Sequence, residues 1–243
     1  MSTTTIPPLP RTLTMMAHIK FTRRLQLGCA SLAALLCITQ LSGCASGPPP
    51  ADWKVNARDS LESAQQFYLR GNDKLAQSEQ ARARSEVASS GRLDLLARVV
   101  LTHCAARIAS LASKDCPEFA ALANDAQAGE RNYAAYISGQ WQNVTPALLP
   151  KQHQALFSNP GDVKNLSAIK EPLTQLVATA VLLQREKITP EGIALAIETA
   201  SDQGWRRPLL AWLGVQAQYA EKSGNTALAQ LARRRMALVA PAP

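Results

Sequence analysis

Apolar residues recur along most of the chain at the three- and four-residue spacing of an α-helix, and polar or glycine-containing segments separate the runs. Residues 173–183 are apolar on nearly every side, which predicts a helix in the centre of the core. The clearest amphipathic helix has its apolar face at Leu93, Leu96, Val100, Cys104, Ile108 and Leu111. Helix stops are predicted at Gly71-Asn72-Asp73, Ser89-Ser90-Gly91, Gly204 and Gly224.

Prolines and capping residues predict where helices begin. Pro117 and Pro208 each lie at the expected first residue of a helix. Thr189-Pro190-Glu191 combines a capping hydroxyl, a first-turn proline and an acid that suits the helix dipole. Further helices are predicted over about 74–88 and over 226–239. Between residues 139 and 161 the pattern weakens, and three prolines predict short helices and loops there: Pro146, Pro150 and Pro160.

Composition supports a purely helical body. From residue 44 onward the chain holds 37 Ala and 24 Leu but only 10 Val and 6 Ile. Ala and Leu favour helices, whereas β-branched residues favour strands. The sequence therefore predicts an all-α fold of antiparallel helix pairs, either a helical repeat or an irregular bundle.

The N-terminal segment has the order of parts found in a secretory signal. Arg23 and Arg24 precede a stretch without charge that ends at Ala51, and residues 25–41 of it are mainly apolar. A transmembrane anchor is the alternative, since it needs about 20 apolar residues. Polar and glycine residues interrupt this run, however, and three prolines follow it at 48–50, so a cleaved signal is favoured.

The end of the apolar run carries a four-residue motif. Leu41, Ser42, Gly43 and Cys44 resemble the lipobox of bacterial lipoproteins over all four positions. The resemblance implies cleavage after Gly43 and acylation of Cys44, which becomes the mature N-terminus. Because Ala45 rather than Asp follows the cysteine, it also implies the outer membrane, with the protein on the inner leaflet facing the periplasm.

These features divide the chain into three parts. Residues 1–43 are predicted to be the signal peptide, with Met15 and Met16 as alternative starts to Met1. Residues 44–54 hold the lipidated cysteine and a Pro-rich tether. Residues 55–243 form a single helical domain.

Two segments of the body share one spacing of small and large residues. Their members are separated by 3, 4, 5 and 7 residues, and the segments resemble the tetratricopeptide repeat, in which two antiparallel helices pack closely. A non-repeating bundle is the alternative, because alanine is abundant and several consensus positions differ. The two sets are Ala64, Phe67, Gly71, Ala76, Ala83 and Ala217, Ala220, Gly224, Ala229, Met236.

Charge and motifs narrow the classes of function. The first 43 residues hold four of the 26 basic residues and no acid, which leaves 22 basic against 18 acidic residues and a net charge of +4. This excess is too small to predict nucleic-acid binding. Outside the signal the histidines are His103 and His153, and no metal-ligand, nucleophile-elbow or phosphate-loop motif occurs. We therefore predict no catalytic residues, no metal and no cofactor.

Cys104 and Cys116 are the two cysteines that follow Cys44. A pair of cysteines in an oxidising compartment favours a disulfide bond. The bond requires the helix to end or kink near Ser110, because a helix that continues to Ala112 would carry Cys104 too far from its partner. The alternative is a buried Cys104 and a free thiol at Cys116.

Four tryptophans raise the question of a partner surface. Trp and Arg dominate binding hot spots, and Trp205-Arg206-Arg207 places an aromatic ring beside two cations at a helix junction. Trp141 is a further candidate. The alternative is that these tryptophans belong to the core, as large aromatic residues usually do in small helical proteins.

Together these observations predict a lipid-anchored periplasmic scaffold or adaptor that binds another envelope protein or peptide. Tetratricopeptide-like lipoproteins commonly serve envelope assembly, and the resemblance implies that class of function. Two alternatives remain: an envelope enzyme that acts on a cell-wall or lipid substrate, and a self-associating structural lipoprotein.

Overall fold

The computed structural model describes residues 50–160 and 162–240. Over these residues it is all-α and holds no strand, as the sequence predicts. The ten α-helices are α1 (Asp52–Arg70), α2 (Asp73–Ala88), α3 (Leu93–Ala109), α4 (Ala128–Ile137), α5 (Lys151–Ser158), α6 (Val163–Ala168), α7 (Pro172–Gln184), α8 (Pro190–Asp202), α9 (Arg206–Lys222) and α10 (Thr226–Val239). Three 3₁₀ segments join α3, α4 and α5: Pro117–Leu122, Trp141–Asn143 and Pro146–Leu148.

The turns of the first and last helix pairs both contain a Gly-Asn step directly before the second helix. Gly71 has φ +86° and Gly224 has φ +74°, a left-handed conformation that glycine adopts without steric cost. The asparagine that follows each glycine caps the second helix. Asn72 Oδ1 accepts from the Leu75 N–H at 3.4 Å, and Asn225 Oδ1 accepts from the Leu228 N–H at 3.0 Å.

Small residues let each of these pairs pack closely. In α1 and α2 the buried positions include Ala64, Ala76 and Ala83, and in α9 and α10 they include Ala217 and Ala229. All five belong to the spacing that resembles the tetratricopeptide repeat. Both segments thus form helix pairs, while their membership of that repeat family stays a prediction.

Helix α7 is the central element, as its continuous apolar pattern predicts. Nearly all of its side chains are buried, among them Gln175. The Gln175 Nε2 donates to the carbonyls of Leu166 and Ile169, each at 3.0 Å, and its Oε1 accepts from the Thr199 hydroxyl. A buried amide satisfied on both sides ties α7 to the end of α6 and to α8.

Trp212 connects the last pair to the centre. Its side chain is fully buried in α9, and its Nε1 donates to the Ala109 carbonyl at 3.1 Å. That carbonyl belongs to the last residue of α3 and has no partner within its own helix. Trp212 therefore belongs to the core, and it satisfies a helix end as it packs.

Two helix boundaries and one helix type differ from the sequence predictions. Helix α9 begins at Arg206, so Pro208 lies in its first turn rather than at its first residue. The segment that begins at Pro117 is a 3₁₀ helix of six residues. Helix α3 ends at Ala109 because Leu111 turns into the left-handed region, with φ +55°.

The described helices were also compared with the requirements of a membrane span. Within residues 50–160 and 162–240, no helix is both long and apolar enough to cross a bilayer. The predicted signal peptide, together with Leu41, Ser42, Gly43 and Cys44, lies outside the described residues.

Candidate functional site

Cys104 and Cys116 are joined by a disulfide bond in the structure, with their Cα atoms 5.5 Å apart. The early end of α3 at Ala109 makes this distance possible, because the chain turns back directly after Ser110. The carboxylate of Glu118 lies close to both sulfurs. Since the sulfurs are bonded to each other they are not thiolates, so this group is not a metal site.

The segment predicted as a binding hot spot is instead largely structural. Trp205 is only 2% exposed, and its Nε1 donates to Gln66 Oε1 at 3.1 Å. Its ring is part of the core that joins α9 to α1, so Trp205 is not available to a partner. This corrects the sequence prediction for Trp205.

Arg207 is likewise engaged within the molecule. Its Nε donates to the Tyr68 carbonyl at 2.8 Å, and its guanidinium pairs with Asp73. The same guanidinium lies 4.3 Å from the centroid of the Tyr68 ring. With these contacts Arg207 fastens the start of α9 to the α1–α2 turn, whereas Arg206 is exposed.

Trp141 lies elsewhere, against α5 and the end of α7. Its half-buried ring stacks on Phe157 with the centroids 4.5 Å apart, and the Arg185 guanidinium lies 5.1 Å from the ring centroid. The Trp141 Nε1 is buried and has no acceptor among the described residues. Trp141 stays a predicted partner-binding residue, separate from the Trp205 segment.

A groove of about 540 Å³ lies between α1, α3, α4 and α7. We call it the central groove. Its apolar surface comes from side chains such as Leu101, Leu173 and Val177, and Leu148 and Pro150 form the wall that follows α4. The polar groups that line it are Gln65, Arg98, Thr102, Glu130, Tyr133, Glu171 and Thr174.

An ion pair forms one side of the central groove. Arg98 Nε donates to Glu130 Oε1 at 2.6 Å, which joins α3 to α4. The Arg98 side chain is 54% exposed, whereas the Glu130 side chain is only 11% exposed. Glu130 Oε2 is buried and has no hydrogen-bond donor among the described residues.

A buried asparagine, Asn132, holds the start of the segment that leads to Leu148 and Pro150. Asn132 Oδ1 accepts from the Thr145 N–H at 2.6 Å, and Asn132 Nδ2 donates to the Thr145 carbonyl at 3.1 Å. The two bonds pair the backbone N–H and carbonyl of Thr145 with one side-chain amide, as a neighbouring strand would do for a residue in a β-sheet. Asn132 therefore fixes the chain at Thr145, three residues before Leu148.

The opposite wall is the first turn of α7. The two carboxylate oxygens of Glu171 accept from the N–H groups of Leu173 and Thr174, at 3.0 and 2.6 Å. Glu171 is thus the N-cap of α7, and its negative charge lies at the positive end of the helix dipole.

A cluster of aromatic side chains lies beside the groove. Tyr133 lines the groove, and its ring packs against His153 with the centroids 5.9 Å apart. Burial, and to a lesser extent the Glu171 carboxylate, raise the pKa of Tyr133 well above its usual range. The Tyr136 hydroxyl lies 3.0 Å from His153 Nδ1, and burial lowers the pKa of His153 to about 4. Both tyrosines and His153 are therefore neutral at pH 7.

The central groove was not predicted from the sequence. Its polar residues come from four helices and a loop, and no motif or spacing marks Glu130 or Glu171 as members of one site. The available signal was Thr145 to Pro150, a proline-bounded segment after a short helix, which indicates a loop but not what it covers. Groove and ion pair are products of tertiary packing.

Comparisons with known proteins give no relative from which a function could be inferred, so the function is argued from the residues of this chain. No protein-family model, no curated protein and no solved structure matches this chain. Chemically, the central groove offers apolar side chains, hydroxyl and amide groups, and a carboxylate with an unused acceptor. Such a surface suits a side chain or short segment of a partner.

Proposed function

We propose that this protein is a lipid-anchored periplasmic adaptor that binds a segment of another envelope protein in the central groove. The single observation that carries the proposal is the groove itself, an open concavity of about 540 Å³ on a helical body. Grooves between helices commonly bind extended or helical segments through apolar side chains.

The composition of the groove supports a protein segment as the ligand. Leu101, Leu173 and Val177 provide an apolar surface, and Thr102, Thr174 and Gln65 surround it with groups that donate and accept hydrogen bonds. Protein interfaces combine an apolar centre with a polar rim in this way. The exposed Leu148, with 47% of its surface accessible, adds an apolar side chain at the edge.

The lipid would give the adaptor its place in the cell. The lipobox at residues 41–44 supports acylation of Cys44, and the Pro-rich residues 48–50 precede α1 directly. Confinement to the inner leaflet of the outer membrane raises the effective concentration of the groove toward other proteins at that surface. A modest affinity in the groove then suffices for binding.

Site-specific crosslinking in living cells tests the proposal. A photoreactive residue at Leu148 or Thr102 should form an adduct with one abundant envelope protein, whereas the same residue at the exposed Leu75 of α2 should not. Gly129→Trp should abolish the adduct, because a Cβ at Gly129 meets no atom within 4 Å and the indole would fill the groove.

The matched control is Ala121→Trp, which adds the same ring at an exposed position outside the groove. It should leave the adduct unchanged. The proposal fails if no adduct forms at Leu148 or Thr102 and the purified protein turns over a cell-wall or lipid substrate. A self-associating structural role is indicated instead if the only adduct is a second copy of this chain.

A further inference from the structure

The buried carboxylate of Glu130 is incompletely satisfied within the molecule. Oε1 accepts a single hydrogen bond from Arg98 Nε, and Oε2 accepts none from the described residues although it is buried. A largely buried carboxylate without its full set of hydrogen bonds is costly, so a second donor that reached Glu130 from the groove would stabilise it.

The charges that line the groove favour a cationic donor. Glu130 and Glu171 face a single cation, Arg98, so the lining carries a net negative charge. The Arg98 side chain is about half exposed, and solvent screening weakens its attraction to Glu130. Glu171 already accepts two backbone N–H bonds, which leaves Glu130 as the carboxylate with free capacity.

We propose that the central groove recognises a lysine or arginine side chain carried on an apolar segment of the partner. The inference rests on the function proposed above and names the chemistry of the ligand. The aliphatic stem of that side chain would lie on Leu101 and Val177, and its charged end would donate to Glu130. Tyr133 lines the same groove, so its aromatic ring would lie near the cation.

An acidic segment would fit this groove poorly. A carboxylate placed there would repel Glu130 and Glu171 and would leave Glu130 Oε2 without a donor. A fully apolar segment would bury Glu130 without pairing it, which also costs free energy. The groove thus selects by charge as well as by shape.

Panning of a random peptide library tests the inference without knowledge of the partner. The membrane-extracted protein, immobilised in detergent, should enrich peptides with Lys or Arg flanked by apolar residues. A synthetic copy of one recovered peptide and its Lys→norleucine analogue are then titrated against the wild type, Glu130→Gln and a control, Glu191→Gln. Glu191 is exposed, lies in the first turn of α8 and is not among the groove residues.

The wild type and Glu130→Gln, each with the lysine peptide and its norleucine analogue, form a double-mutant cycle that isolates the contact between Glu130 and the lysine. Glu130→Gln and the norleucine analogue should each weaken binding by about tenfold or more, the range of a charge-assisted hydrogen bond. Combined, they should cost little more than either alone, because both remove the same contact. Glu130→Gln should bind the norleucine analogue at least as tightly as the wild type does, because the variant buries no unpaired charge, and this binding shows that the variant is folded. Glu191→Gln should bind the lysine peptide like the wild type.

Two outcomes overturn the inference. Recovered peptides that lack a cationic preference, or that bind Glu130→Gln as tightly as the wild type, leave the groove as a binding site but refute recognition through Glu130. Recovery of no peptide refutes a linear cationic segment as the ligand. In either case the crosslinking from Leu148 and Thr102 decides the proposed function separately.

Discussion

The buried His153 is held neutral beside Tyr136, and this makes it the residue with the clearest dependence on pH. Burial lowers its pKa from 6.5 to about 4. Between these values the unfolded chain binds a proton that the folded chain does not, so stability falls as the pH is lowered. The difference corresponds to about 3 kcal/mol of unfolding free energy, lost progressively between about pH 6.5 and pH 4.

Urea unfolding across this range measures the effect. His153→Gln keeps an acceptor for the Tyr136 hydroxyl but does not titrate, so the unfolding free energy of that variant should change less with pH. His103→Gln is the control: His103 is only partly buried, and burial and Arg107 lower its pKa too, but the His153 contribution should persist in that variant. Identical pH profiles for the wild type and His153→Gln would contradict the prediction.

Arg207 shows that residue type alone does not distinguish a partner-binding residue from a structural one. An arginine beside a tryptophan at a helix junction is compatible both with a binding hot spot and with a structural contact. Its three contacts with Tyr68 and Asp73 lie 134 and 139 residues away in the chain. Only the packing of α9 against α1 brings them together, so no local pattern could identify them.

At the scale of elements, the helices could be predicted from periodicity. Most of them bury one apolar face, and α7 has apolar residues on nearly every side. The predicted 226–239 helix coincides with α10, and Thr189-Pro190 begins α8 as capping chemistry predicts. The segment at Pro117 begins where it was predicted, although as a 3₁₀ helix. The start of α9 was less predictable, since proline is compatible with several positions in a first turn. Periodicity shows which face is buried but not which helix covers it.

The two Gly-Asn turns lead to a prediction about stability. Gly71→Ala and Gly224→Ala should each destabilise the fold by about 1 kcal/mol, because alanine is strained at positive φ. No atom lies within 4 Å of a Cβ added at either position, so the loss would be conformational rather than steric.

Gly129→Ala is the matched control for both turns. A Cβ there also meets no atom within 4 Å, but Gly129 lies in the first turn of α4 without a positive φ. The substitution should therefore be neutral or stabilise by about 0.5 to 1 kcal/mol. A loss at Gly129 equal to that at Gly71 and Gly224, in thermal or urea unfolding, would refute the role of backbone conformation.

The disulfide bond leads to a second prediction at the scale of elements. The bond joins α3 to the 3₁₀ helix that begins at Pro117 across a separation of 12 residues, which corresponds to about 3 kcal/mol in the chain-entropy description. Thiol labelling under denaturing, non-reducing conditions should find Cys104 and Cys116 protected. The double substitution Cys104→Ala, Cys116→Ala should lower the unfolding midpoint to that of the reduced wild type. Two freely alkylated cysteines on most molecules would disprove the bond.

At the scale of the whole molecule, the central groove is a consequence of how four helices meet. Three interactions between individual residues lie around this concavity: the Asn132 amide bonds, the Glu171 cap and the Glu130 ion pair. The sequence predicted a helical scaffold with partner-binding residues at Trp205, Arg206, Arg207 and Trp141, and of these Trp205 lies in the core. The error arose because burial of a tryptophan depends on the packing of distant helices.

The predicted lipid defines how this scaffold would meet its partner. Cys44 and the start of α1 at Asp52 are eight residues apart, which spans at most about 27 Å when fully extended. A body held this close to the membrane meets other anchored proteins at a greatly raised effective concentration. The intact mass of the membrane-extracted protein should therefore show an acylated cysteine at the N-terminus, with residues 1–43 removed.

Cys44→Ala separates the contribution of the lipid from that of the groove. Without the acyl group, the crosslink from Leu148 should fall by about a hundredfold, the scale on which tethering raises avidity. The affinity of the isolated protein for its groove peptide should stay unchanged, because Cys44 is not among the groove residues. A full-length, unmodified N-terminus in the membrane fraction would refute lipidation. An undiminished crosslink from Cys44→Ala would show that binding needs no anchor.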